Sequence, residues 1–352
     1  MTRTEPLVLR RSDFSLSRDQ ESVREVFRSF FSRECPMSRV RATGALGYDA
    51  ELWSELAALG IHGMGIPETC GGDGGSLVDL ALVVEEAGRA IAPLPIVESF
   101  VARRLIAEVQ ATGSDVPGGV GDEVVTFATE PASTGNAQIV ANGAIARRIV
   151  GLVDHDLVLD SFMVEPSPTR NLGGVPIGWW CPRHEPEVVL ARGSDARDRF
   201  RRADAEWKVL TGAALVGLSQ RVLDLTVEYA NERIAFDVPI GTFQAIAHPI
   251  VDVATAIEGA RRFVWKAAWY LEHEPEGAPA LPEMCFWHAS QTASLATRTG
   301  IHTQGGLGYT LESDLQLYFR RAKGWSLVAG DPGRALLRIA DALYGPVASV
   351  PG

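Results

Sequence analysis

The chain has 352 residues, a formal net charge of −11 at pH 7 and 46% hydrophobic residues. This composition is typical of a globular protein with about two or three domains. Charges of both signs are scattered along the chain, which argues against nucleic acid as a partner. No run approaches the roughly 18 apolar residues of a membrane span, and the N-terminus lacks the apolar block of a secretory signal. We therefore expect a cytoplasmic protein that binds neither membranes nor nucleic acid.

Helical patterns dominate the first part of the chain, where Ser17 and Gln20 have the spacing of a capping box. Between about 121 and 200, short β-rich runs alternate with Gly, Pro, Asn and Asp, which predicts a small all-β unit. From about 203 onwards the helical pattern returns. The predicted domains are an N-terminal helical domain at 1–120, a β-domain at 121–200 and a C-terminal helical bundle at 201–352.

Two glycine-rich segments are candidates for close approach to a ligand, GGDGG at 71–75 and QGGLG at 304–308. Neither has the context of a nucleotide-binding fingerprint. GGDGG is most simply a turn before a helix that Ser76 caps. In that helix, Glu85 and Glu86 are interpreted as a solvated edge.

The segment ERIAFDVPIGTFQ contains a second candidate for anion binding. A long predicted helix ends at Arg233, and the next helix begins at Gln244. A guanidinium and an amide at adjoining helix ends suit a diphosphate. An equally open alternative is that Arg233 caps the carbonyls of its own helix. The cysteines and histidines show no metal-binding spacing, so we predict no metal site.

Four segments then carry a recognisable set of motifs. They are LW…G…PE..GG.GGS at 52–76, FATEP at 127–131, R..FD.PIG.FQ...H at 233–248 and H.QGG.GYT.E at 302–312. With these motifs in register, the chain resembles the acyl-CoA dehydrogenase family over nearly its whole length.

The resemblance implies a mainly α fold with a β insert, in which a helical domain, a small β-barrel or sheet domain and a four-helix bundle follow one another. It also implies FAD bound across a subunit interface. The chemistry is α,β-desaturation of an acyl-CoA thioester, in which a carboxylate removes the α-proton and hydride leaves the β-carbon for the flavin. The residues implied for the adenine half and diphosphate of the flavin are Arg233, Phe236, Gln244, His302, Gln304, Gly305 and Gly306.

The catalytic base that the family requires is missing from both of its usual positions. One position falls on Ala329 and the alternative position falls on Trp207. The neighbouring carboxylates, Asp331 and Glu206, are weak candidates. Asp331 precedes a proline like a helix N-cap, and Glu206 would point roughly 100° away from the alternative position.

Further departures lie around the flavin. The stretch at about 147–152 lacks the Trp-Ile-Thr/Ser strand that lies against the flavin ring in active members, and the β-region is short. His302 replaces the usual Gln and Asp237 the usual Gly, although the remaining adenine-half residues are largely kept.

The leading hypothesis is therefore the degenerate subunit of a heteromeric α2β2 bacterial acyl-CoA dehydrogenase, as found in sterol degradation. Such a subunit shares one FAD per heterodimer with a homologous catalytic partner. A runner-up is a self-sufficient homo-oligomeric enzyme with a displaced base such as Asp331 or Glu206. A third hypothesis is a flavin-free scaffold subunit.

Overall fold

The computed structural model describes residues 15–113, 121, 123–161, 169–328 and 330–345, and it divides into two compact units. What we call the helical unit consists of Met1–Arg33, Ala81–Ile91 and Lys208–Gly352. What we call the mixed unit consists of Glu34–Leu80 and Ala92–Trp207. The division into three domains predicted from the sequence stays a prediction.

The order of elements along the chain is helices, strands and helices again. The helices are α1 (Arg18–Glu34), α2 (Met37–Ala42), α3 (Ala50–Ala57), α4 (Leu77–Arg89), α5 (Ile96–Ala111), α6 (Gly193–Glu232), α7 (Gln244–His273), α8 (Leu281–Gln304), α9 (Leu315–Leu327) and α10 (Pro332–Tyr344). The strands are β1 (Val125–Phe127), β2 (Gln138–Val140), β3 (Arg148–Val153), β4 (Asp156–Ser161), β5 (Gly178–Trp180), β6 (Val188–Arg192), β7 (Ile234–Ala235) and β8 (Val238–Pro239). The mainly α architecture with a β insert is thereby confirmed.

In the mixed unit, the strands form a four-stranded sheet in the order β1–β3–β4–β6 and a separate β2–β5 pair. β1 runs parallel to β3, whereas the other pairs are antiparallel. Each predicted β-rich run contains one or more of these strands. Trp180 is buried against Val140, Ile149 and Val158, while its neighbour Trp179 is exposed, as strand alternation requires.

The GGDGG segment is a tight turn of the mixed unit. A side-chain carbon at Gly72 would lie 2.1 Å from the Ile66 carbonyl oxygen, so only glycine fits there. The Asp73 carboxylate accepts hydrogen bonds from the backbone nitrogens of Gly65 and Gly75, at 2.9 and 3.0 Å. The interpretation as an interhelical turn is confirmed.

Two predicted helix starts are also confirmed. Ser17 and Gln20 exchange the two hydrogen bonds of a capping box, at 3.0 and 3.2 Å. Ser76 Oγ accepts a hydrogen bond from the Asp79 backbone nitrogen at 3.2 Å. By contrast, α6 begins at Gly193, about ten residues before the predicted return of helix.

The helical unit contains the C-terminal bundle, in which α8 packs against α7 and α9, and α6 meets α7 and α8. Small residues bring these helices close together. A side-chain carbon at Gly212 of α6 would lie 3.2 Å from Cys285 Sγ of α8, and one at Gly300 of α8 would lie 2.8 Å from Thr226 Oγ1 of α6. Since both contacts advance in the same direction, α6 and α8 run parallel.

The prediction that Glu85 and Glu86 form a solvated edge is wrong. Both residues are buried in the helical unit. Arg261 Nε donates a hydrogen bond to Glu85 at 2.8 Å, and Arg28 Nη2 donates one to Glu86 at 3.0 Å. Acidic residues in a helix can be buried when an arginine from a distant part of the chain pairs with them. The local sequence does not show whether such an arginine is present.

No helix in the described part of the chain is both long and apolar enough to cross a membrane.

Candidate functional site

One end of the bundle brings the predicted cofactor residues together. α7 runs antiparallel to α8, since a side-chain carbon at Gly259 would meet His288 at 3.7 Å and a short connection joins the two helices. Because α6 and α8 are parallel, the end of α6, the start of α7 and the end of α8 share this end. Arg233, Gln244 and the Gly305–Gly306 segment therefore lie at the same end of the helical unit.

The connection from α6 to α7 is a small hairpin that presents Phe236 to solvent. Phe236 and Asp237 have φ angles of +53° and +62° between the two-residue strands β7 and β8. Two consecutive positive φ angles are the geometry of a type I′ turn, which aspartate tolerates better than most residues. The Asp237 that departs from the family pattern is thus compatible with the turn. Phe236 is 91% exposed and meets Phe243 edge-on, with 6.2 Å between ring centroids.

Arg233 is exposed at the end of α6. Its carbonyl oxygen accepts a hydrogen bond from the Ile240 nitrogen at 2.8 Å, which fixes the hairpin to the helix. Within the described residues, its guanidinium has neither a hydrogen bond nor an ion pair. The alternative that Arg233 caps its own helix is therefore not supported, and the cation remains available to a ligand.

The glycines at the end of α8 are open. Gly305 has a φ of +63°, and a side-chain carbon at Gly305 or Gly306 would have nothing within 4 Å. His302 is exposed, whereas the Gln304 side-chain oxygen accepts a hydrogen bond from Ser313 Oγ at 2.7 Å. This contact orients the Gln304 side chain and leaves its amide nitrogen as a donor for a ligand.

Together these features fit the anionic half of a dinucleotide. Negative charge is favoured by the guanidinium of Arg233, which has no partner among the described residues, and by the open glycine backbone. It is also favoured by the start of α7, whose N-cap residue makes no side-chain hydrogen bond. The residues of this chain that would hold FAD are therefore on the adenine and diphosphate side.

The carboxylates that the sequence offered as displaced bases are already in use. Arg104 donates two hydrogen bonds to Glu206, at 3.0 and 3.3 Å, in the mixed unit. Asp331 accepts a hydrogen bond from the Gly333 nitrogen at 2.7 Å, which confirms its interpretation as an N-cap. Ala329 lies outside the described residues.

Trp207, at the alternative base position, is 1% exposed in the mixed unit. Its indole Nε1 donates a hydrogen bond to Glu98 Oε1 at 3.0 Å, and Asn142 Nδ2 donates one to Glu98 Oε2 at 2.9 Å. Burial raises the pKa of the Glu98 carboxyl, and these two hydrogen bonds only partly offset that effect.

The sequence analysis missed Glu98. The available signal was a single acidic residue in the first turn of the apolar segment IVESFVARRLIAEV, which is helix α5 in the structure. Such a residue either caps the helix electrostatically or meets a partner distant in sequence, and the pattern alone does not separate the two.

The stretch at 147–152 forms β3, which is buried. At Gly151, a side-chain carbon would lie 2.8 Å from the Trp180 ring. Trp180 therefore covers one face of β3. In the resemblance described above, this strand corresponds to the Trp-Ile-Thr/Ser strand that contacts the flavin.

Comparison with known proteins agrees with this arrangement. Residues 17–115 match the family model for the acyl-CoA dehydrogenase N-terminal domain, and residues 206–344 match the model for the C-terminal domain. The protein named acyl-CoA dehydrogenase IpdE2 from Mycolicibacterium smegmatis is 30% identical over 330 residues, which cover 92% of this chain and 98% of the relative. The chain belongs to the acyl-CoA dehydrogenase family.

Solved structures share the fold of this member of the acyl-CoA dehydrogenase family. One chain of the ChsE4-ChsE5 complex from Mycobacterium tuberculosis matches with a TM-score of 0.82 and 24% identity, over 97% of this chain and all of that chain. Butyryl-CoA dehydrogenase from Megasphaera elsdenii matches with a TM-score of 0.80 and 22% identity, over 94% and 99% of the two chains. The comparisons support FAD as the cofactor.

Proposed function

We propose that the chain is the non-base-bearing subunit of a heteromeric FAD-dependent acyl-CoA dehydrogenase. The observation that carries this proposal is the contrast between two sets of residues. Glu206 and Asp331, the displaced bases suggested by the sequence, are held by structural partners. The adenine-side residues Arg233 and Gly305, by contrast, are exposed and open.

In this proposal the chain binds and orients, and a homologous partner subunit brings the base. Arg233 offers a forked cation to the diphosphate, and Phe236 offers an exposed aromatic ring. Gln244 begins α7, where unpaired backbone N–H groups favour an anion. FAD, when bound, supplies a hydride acceptor for the β-hydrogen of the acyl thioester. The α-proton goes to the partner's carboxylate, which leaves an α,β-unsaturated thioester.

The structural neighbours support a heteromeric assembly and a bulky substrate. The ChsE4-ChsE5 structure is described as a complex, and a second neighbour with a TM-score of 0.82 is described as a steroid acyl-CoA dehydrogenase formed by Tcur3481 and Tcur3483. By analogy, a polycyclic acyl-CoA is the substrate class that we propose for the assembled enzyme, in lipid or steroid catabolism.

The test is to purify the chain alone and after co-expression with a homologous subunit from a neighbouring gene, and to quantify FAD by absorbance. We expect a colourless protein alone and one FAD per heterodimer in the complex. A yellow chain that holds one FAD by itself and desaturates an acyl-CoA would contradict the proposal.

A substitution separates the partner role from the scaffold hypothesis. Arg233→Ala removes a charge-assisted contact and should weaken FAD retention by the complex about tenfold or more. Arg298→Ala is the matched control, because Arg298 is an exposed arginine of the same unit that donates to a carbonyl of its own helix. Unchanged FAD content in both variants would favour a flavin-free scaffold.

The second candidate function is a self-sufficient acyl-CoA dehydrogenase in which Glu98 is the catalytic base. Its carboxylate has a raised pKa, two donors that fix its orientation and a position 3.0 Å from the indole of Trp207, which suits a general base. If the chain alone is active, Glu98→Gln should abolish turnover while Glu206→Gln, a change at a carboxylate paired with Arg104, leaves it largely intact. Activity in the complex that is insensitive to Glu98→Gln favours the partner role.

A further inference from the structure

Arg321 is a buried cation that meets no counter-charge within the described residues. It lies on the inward face of α9 with Leu315, Tyr318 and Ala322, and only 9% of its surface is exposed. No residue in the described part of the chain gives it a hydrogen bond or an ion pair. Burial lowers the pKa of Arg321 to about 10, and the positive charge of Arg320 acts in the same direction.

Such an arrangement is costly for folding. A guanidinium taken out of water loses hydration, which hydrogen bonds to anions or carbonyl oxygens restore. Other buried arginines of this protein follow that rule, since Arg261 meets Glu85 and Arg103 donates to two backbone carbonyls. Arg321 departs from it, which points to a ligand that supplies the missing negative charge.

The charge of the surrounding helix favours the same conclusion. The sequence of α9, LQLYFRRAKGWSL, contains three cations and no acidic residue, within a chain whose net charge is −11. The exposed Arg320 points roughly 100° away from Arg321, but its positive charge still acts on it. A helix with this charge favours a group with several anionic oxygens over a single carboxylate.

Arg321 is mostly covered, and its residual exposure leaves part of the side chain accessible to a ligand.

We propose that Arg321 binds a phosphate group of a nucleotide-bearing ligand. The proposed function, on which this step rests, offers two sources of such a phosphate. They are the diphosphate of FAD and the phosphates of coenzyme A. Arg233 lies at the end of α6 and Arg321 lies midway along α9, so Arg321 is a phosphate contact in addition to Arg233.

The first experiment uses inorganic pyrophosphate as the probe and thermal unfolding as the readout. Arg321→Met should raise the Tm of the ligand-free chain, because it removes a desolvated charge and keeps a long apolar side chain. Pyrophosphate should raise the Tm of the wild-type chain and of Arg321→Lys by more than that of Arg321→Met, which keeps only the Arg233 end as a diphosphate site. Lys323→Met is the matched control, since Lys323 is an exposed cation of the same helix. An equal pyrophosphate shift in wild type and Arg321→Met would overturn the proposal.

The second experiment identifies the source of the phosphate. Binding of FAD, FMN, coenzyme A and dephospho-coenzyme A is measured by calorimetry on the whole chain with any subunit that co-purifies. We expect Arg321→Met to weaken either FAD or coenzyme A about tenfold or more, with FMN or dephospho-coenzyme A less affected.

The outcomes separate this inference from the proposed function. A wild-type chain that binds neither FAD nor coenzyme A, yet shows a pyrophosphate shift that depends on Arg321, would refute the proposed function and keep the phosphate site. Normal binding of all ligands by Arg321→Met, with weaker association to the partner subunit, would overturn the phosphate site in favour of an intersubunit carboxylate.

Discussion

Replacing Glu85 with alanine removes the carboxylate that faces Arg261 inside the helical unit. Arg261 Nε lies 2.8 Å from Glu85 Oε1, and Arg261 Nη2 lies 2.8 Å from the side-chain oxygen of Gln220. Both charged residues are buried. Breaking a buried pair by removing one partner costs about 3–5 kcal/mol, because the other charge stays desolvated. Arg261 also contacts Glu258, whose side chain is 57% exposed, so we expect about 3 kcal/mol, the lower end of that range.

Urea unfolding of the full chain, followed by circular dichroism, measures the loss of unfolding free energy. Hydrogen exchange in α4 and α7 shows whether the loss is local to the pair. Glu258→Ala is the matched control and should cost less than about 1 kcal/mol, because an exposed ion pair contributes little.

The double variant Glu85→Leu with Arg261→Met replaces the pair with apolar side chains and should recover most of the lost stability. The reasoning would be refuted if Glu85→Ala cost no more than Glu258→Ala, or if the double variant were less stable than Glu85→Ala.

Three further predictions concern packing and pH. Gly217→Ala should lower the free energy of unfolding, measured by urea titration, by about 1–3 kcal/mol. The added Cβ would lie 1.7 Å from the Glu85 carbonyl oxygen, so the helices must move apart. Arg338 and Lys208 outweigh burial and lower the pKa of Glu283. The Glu283 carboxylate therefore stabilises the folded chain above its ordinary pKa of about 4.3, and this stabilisation is lost as the pH falls through the lower pKa of the folded state. The Tm difference between wild type and Glu283→Gln should vanish in acid. The pKa of Glu98 is raised, so the protonated Glu98 side chain stabilises the folded chain below about pH 4.3, and this stabilisation is lost as the pH rises through the pKa of the folded state. The Tm of Glu98→Gln relative to wild type should therefore increase with pH.

Features that depend on neighbours along the chain were predictable from sequence. The Ser17–Gln20 capping box, the turn at 71–75 and the N-cap role of Asp331 each involve residues within a few positions of one another. Their signals are the residue types that satisfy helix ends and left-handed turns. The β-rich runs were equally visible, since strand patterning is local.

Features that depend on distant partners were not predictable. Glu85 meets a partner 176 positions away, and Glu98 meets Trp207 109 positions away. A glutamate in a helical pattern has the same local signature whether it faces water or a buried arginine. Arg321 likewise resembles any surface arginine until its helix face is known to point inward.

Residue types in fixed spacing were enough to predict the order of helices and strands and the family, and they also predict the loss of a base at its usual positions. Only the tertiary structure decided which charges are buried and which remain available. Among the described residues, Glu206 and Asp331 have structural partners, Arg233 is exposed, and Arg321 is enclosed without an anion. The physical reason is desolvation, which depends on what packs against a side chain in space.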